Sequence, residues 1–68
     1  MSVKIMIKEI KKEIDIITED RAISQKNFSE NSHNKDIALI WAKDRDKADR
    51  ELERLYKQLN ELERQLLD

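Results

Sequence analysis

Val3, Ile7, Ile10, Ile14 and Ile17 recur at alternating steps of four and three residues. A repeat averaging 3.5 residues lays one apolar row along one side of an α-helix, the mark of a helix that packs lengthwise on another. The register runs on through Arg21 and Ser24 to Phe28. It predicts a first helix over about 3–28, about 39 Å long at 1.5 Å per residue, with Ser2 as its N-cap. A second seam consists of Ala38, Trp41, Arg45, Ala48, Leu52, Leu55, Leu59, Leu62 and Leu66. It predicts a second helix over about 35–67, roughly 50 Å long. Asn34 or Ser32 is placed to cap it, and Asp36 in its first turn suits the positive end of the helix dipole.

The two seams are out of phase. Continuing the first beyond Phe28 would place core positions at 31, 35 and 38, then 42 and 45, whereas the second takes its three-residue step from Ala38 to Trp41. Between them, at 29–34, stands Ser-Glu-Asn-Ser-His-Asn. Its Ser and Asn side chains offer the backbone local hydrogen bonds that compete with helix. A turn there predicts an antiparallel two-helix hairpin, coiled-coil-like, folded about His33. Ile14 would then meet Leu52, Ile10 would meet Leu55 and Tyr56, Ile7 would meet Leu59, and Val3 would meet Leu62. The alternative is one continuous coiled coil of about 100 Å, because the segment holds no absolute helix breaker.

Composition narrows the rest. A chain of 68 residues is one domain, and a core that small rarely supplies more than about 3–5 kcal/mol unaided. Cys is 0 and His is 1, so neither disulfides nor a single-chain zinc site is expected to staple it. Oligomerisation is the remaining route. Gly is also 0, which argues against tight β-hairpins and phosphate-cradling loops. Charged residues make up 43 % and aromatics 4 %. That mixture suits exposed helices, and strict apolar periodicity separates it from disorder. The net charge of −1 is spread evenly, so no segment reads as a basic arm for nucleic acid. The N-terminal segment alternates Ile with Lys and Glu, unlike a secretory leader. The longest apolar run is Ile37–Ala42, far too short to span a membrane. A soluble cytoplasmic protein is the expectation.

A single hairpin does not use all the apolar residues. On a helical wheel Ile5, Ile16 and Ile23 fall nearly opposite the first seam, and Leu39 and Ile40 point away from the second. Residues 37–42 are therefore apolar around the whole circumference. A homodimer forming a four-helix bundle would absorb them, with Ile5, Ile16, Ile23, Ile37, Leu39 and Ile40 as the self-association residues. A groove for a foreign helix is the other reading. Its anchors would come from Phe28, Leu39, Ile40 and Trp41.

Arg21 and Arg45 interrupt the seams, and in a hairpin folded about His33 they face each other, flanked by the small Ser24 and Ala48. They form either a site for an acidic partner or a register-setting layer, each Arg paired with Asp20, Asp44 or Asp49. Lys43, Arg50, Lys57 and Arg64 repeat every seven residues on the outer face of the second helix, a geometry that could track phosphates. Asp46 and Glu53, each four residues before a base, mark it instead as a solvated face. Lys4, Lys8, Lys11 and Lys12 would suit a membrane surface, but Glu9, Glu13 and Asp15 interleave with them. Glu30 and His33 have the spacing of a di-iron carboxylate motif, in one copy and in the turn. Asp44 and Asp46 lack the glycine and terminal glutamate of a calcium loop. Asn27-Phe28-Ser29 is a glycosylation sequon with meaning only after secretion. No nucleophile–base constellation is present, so no catalytic residue, metal or cofactor is expected.

The expected shape resembles, in architecture, Rop-like RNA-binding dimers, secretion co-chaperones and small phage-encoded inhibitors. The residues point first to a non-catalytic protein-interaction module: a self-associating adaptor, co-chaperone or inhibitor whose partners are itself and another protein. The alternative is an RNA-binding regulator of Rop-like architecture using the outer basic stripe.

Overall fold

The computed structural model describes residues 2–67 and consists of two helices, α1 (Val3–Glu30) and α2 (Lys35–Leu67). They pack along each other as a hairpin 51 Å long and about 15 Å across. No strand occurs among the described residues.

Local chemistry fixes each helix end. The Ser2 hydroxyl accepts the Ile5 N–H at 3.2 Å, satisfying one of the unpaired donors of the first turn. α1 continues to Glu30, two residues beyond the Phe28 expected from its seam. It stops at Asn31, whose backbone N–H and side-chain amide both donate to the Asn27 carbonyl, at 3.1 and 2.8 Å. Asn34 then starts α2. Its side-chain oxygen accepts the Ile37 N–H at 3.3 Å, and its own N–H donates to the Asn31 carbonyl at 2.9 Å. Two asparagines thus close the reversal. No described residue has positive φ, which is how a chain without glycine turns back without backbone strain.

The core is the pair of seams. Ile7, Ile14, Leu55, Leu59 and Leu62 form one buried cluster, with Val3, Ile10, Ile17 and Leu52 packed against it. Leu55 is 2 % exposed. Nearer the turn the interior narrows to Ala38, Ala48 and Ser24. Leu66, the last residue of the second seam, is exposed at the open end of the hairpin. Tyr56, expected beside Ile10, is also exposed.

The hinge differs from the sequence expectation. Arg21 does not oppose Arg45; it pairs with Asp49, one helical turn further along α2. Ser24 bonds Asp44, and Gln25 bonds Arg45. These contacts put the point of reversal between Asn34 and Lys35 rather than at His33. The two-residue extension of α1 and the tight Asn31–Asn34 closure accompany the shift.

Candidate interaction surface

A two-helix hairpin has two flanks beside its seam. In an antiparallel pair the residues one position before each seam position lie on the same flank in both helices. On α1 this flank carries Ile16, Asp20 and Ile23; on α2 it carries Ile37, Ile40, Asp44, Lys47 and Glu51. The structure brings the two rows together. Asp20, Ile23, Trp41, Asp44, Lys47 and Glu51 border one open hollow of about 260 Å³ floored by Ala48 and Ser24. A second hollow continues from it towards the turn past Ile40, Trp41 and Lys43.

The apolar side chains here face solvent. Ile16 is 52 %, Ile23 51 % and Ile40 64 % exposed, with Ile37 also exposed and Trp41 half-buried. All of them lie in the half of the hairpin nearer the turn, or at its middle. Three carboxylates, from Asp20, Asp44 and Glu51, and one ammonium, from Lys47, surround the hollow, so its rim is acidic.

The remaining apolar candidates lie elsewhere. Leu39, 55 % exposed, sits on the opposite flank of α2 from Ile37 and Ile40. Ile5 is exposed near the start of α1, beside a hollow bordered by Lys8, Glu9, Lys12 and Asp15. The six residues expected to mediate self-association are therefore all solvent-facing: Ile23 and Ile40 border the two hollows, Ile16 and Ile37 lie further along the same rows, and Leu39 and Ile5 are outlying.

In the polar layer Arg21 pairs with Asp49, one of the acids expected to neutralise it, whereas Arg45 takes other partners than those expected. Ser24, 1 % exposed, donates its hydroxyl to the Asp44 carboxylate. Arg45 reaches the Gln25 side-chain carbonyl at 2.9 Å and Asp46 at 3.4 Å, and its guanidinium carbon lies 5.1 Å from the centre of the Phe28 ring. That distance suits a cation–π contact. Arg21 and Asp49 form an ion pair with both side chains more than a third exposed. No described buried side-chain polar atom lacks a partner, so the layer holds no orphaned group aimed at a ligand. Gln25 and Phe28 as partners of Arg45 were not evident from the sequence. The signal was the three-residue spacing that puts Gln25 and Phe28 beside one another on α1.

The outer stripe of Lys43, Arg50, Lys57 and Arg64 is exposed throughout, and Lys57 lies 3.8 Å from Glu53. Glu30 ends α1 and His33 lies in the turn, both exposed. Among the described residues no three of His, Cys, Asp or Glu gather in a metal-holding arrangement. Among the described residues no helix is long and apolar enough to cross a membrane. In comparisons with known proteins, no family model, no curated protein and no solved structure matches the chain.

Proposed function

We propose that this chain is a non-catalytic protein-interaction module that acts as a self-associated hairpin, in the manner of an adaptor, co-chaperone or inhibitor. One observation carries the reading: an otherwise charged hairpin presents Ile16, Ile23, Ile37, Leu39 and Ile40 to solvent. Exposed apolar surface of that extent on so small a chain marks a contact site. Area supports it as well. The chain exposes 5543 Å², whereas a compact monomer of 8.2 kDa would expose about 4,500 Å². The excess, about 1,000 Å², is close to the roughly 800 Å² that each partner contributes to a stable protein interface.

The outlying anchors suit a second, foreign partner. Leu39 stands clear of the main patch, and Phe28 beneath Arg45 offers an aromatic with a polar cover, a combination common at binding hot spots. Sedimentation equilibrium and affinity capture with purified protein test the proposal. A dimer at micromolar concentration is expected, together with a protein partner whose binding Leu39→Asp weakens while the dimer persists. A folded monomer that binds RNA tightly, losing that binding on Arg50→Glu with Lys57→Glu, would establish the RNA-regulator reading instead.

A further inference from the structure

Given that the chain self-associates, we infer that two copies join through the flank bearing Ile16, Ile23, Ile37 and Ile40, with their turns at the same end and α1 of each lying on α2 of its partner. The inference rests on the self-association reading and adds to it a face and an orientation.

Two hairpins laid face to face can obey a two-fold axis in two ways. An axis across the hairpins sets the turns at opposite ends and stacks α1 on the partner's α1. An axis along the hairpins sets the turns together and stacks α1 on the partner's α2. The distribution of side chains on the flank separates these. Apart from Met6 near the open end, the apolar members occupy the turn half or the middle. Further out, the same rows carry Met6 among polar residues: Glu9, Glu13, Arg54, Gln58, Glu61 and Gln65. With turns opposed, Ile37 and Ile40 would be laid on the far end of the partner's α2, around Glu61 and Gln65, and Ile23 on the level of Glu9 and Glu13. With turns together, the apolar patches of both copies stand at the same height and close on each other, Trp41 included.

Charge points the same way. The α1 row on this flank bears Glu9, Glu13, Asp20 and Glu30 and no cation. Opposed turns would press that row against its own copy, a like-charge juxtaposition that is costly at an interface. Turns together lay it against the α2 row, where the acids Asp44, Glu51 and Glu61 are interleaved with the flank's two cations, Lys47 and Arg54. Leu39, on the other flank, stays free.

The chain has no native cysteine, so a single Ser32→Cys variant carries one spin label, at an exposed turn position. Double electron–electron resonance on that dimer is expected to give label separations of about 20–30 Å, from helix spacings of 8–10 Å plus the label arms. Separations near the 51 Å length of the hairpin, in a protein that sediments as a dimer, would overturn the orientation and leave self-association standing. A monomeric, folded labelled chain would instead overturn the self-association reading itself. The face is tested separately. Ile23→Asp with Ile40→Asp, kept helical by circular dichroism, is expected to weaken the dimer at least tenfold, because burial would strand two carboxylates per copy. Leu39→Asp is expected to leave it unchanged. The reverse pattern would assign the interface to the other flank.

Discussion

Ser24 shows how much a single seam position decides. The heptad puts it in the core, where a leucine would be ordinary, yet it is almost fully buried and spends its hydroxyl on Asp44. A hydrogen bond to a charged group contributes more than a neutral one, but Asp44 is exposed and water can replace the hydroxyl. Ser24→Ala is therefore expected to cost about 1 kcal/mol, read as a shift in urea midpoint. Leu55→Ala, at the most buried leucine, should cost about 2–5 kcal/mol through lost burial and the cavity left behind. On a core this small that approaches complete unfolding. Arg21→Leu with Arg45→Leu is expected to stay within about 1 kcal/mol of the parent, because exposed ion pairs contribute roughly 0–1 kcal/mol. A large loss in that double variant would mean that the Arg45–Phe28 contact holds the turn half together. The seam residues were legible from spacing alone. Their partners were not, since Gln25 and Phe28 reach Arg45 only once the hinge position is known, and spacing does not fix a hinge to within one turn.

Within the elements, the turn is the weakest instruction in the sequence. Both helices and their caps follow from periodicity and from Ser2 and Asn34. The reversal, by contrast, depends on Asn31 and Asn34 closing a short loop without glycine or proline. Nothing there forbids helix, which is why a continuous rod was open on sequence grounds. Asn34→Ala should cost about 1 kcal/mol for the lost cap, measurable by chemical denaturation. Replacing all of 29–34 by alanine removes the competing side chains and inserts the best helix former. The expected result is a single helix of about 100 Å, seen by small-angle scattering as a doubling of the longest dimension from 51 Å. A hairpin that survives this replacement would show that seam packing alone drives the reversal.

At the scale of the whole molecule, two helices bury one face each and leave flanks that a third and fourth helix would cover. If folding and association are linked, the melting temperature must rise with protein concentration; a melting curve independent of concentration from about 1 to 100 µM would mark the isolated hairpin as self-sufficient. The charge pattern leads to the last expectation. Lys43, Arg50, Lys57 and Arg64 make a continuous exposed row, the one feature that speaks for nucleic acid. Yet Glu53 sits 3.8 Å from Lys57, Asp46 precedes Arg50 by one turn, and the whole chain is slightly anionic. Beyond about 8–10 Å, physiological salt screens what field remains. Phosphate binding draws its strength from several uncompensated cations, each adding to the salt dependence of affinity. The row has too few of them, and a dimer formed through the Ile23 flank would leave the acids beside it in place. No binding to duplex or structured RNA is therefore expected at micromolar protein in physiological salt. Lowering the salt to about 20 mM should raise only weak, sequence-independent association. A micromolar or tighter complex at physiological salt, lost on Arg50→Glu with Lys57→Glu in a dimer that remains intact, would move the function from the apolar flank to the outer face of α2.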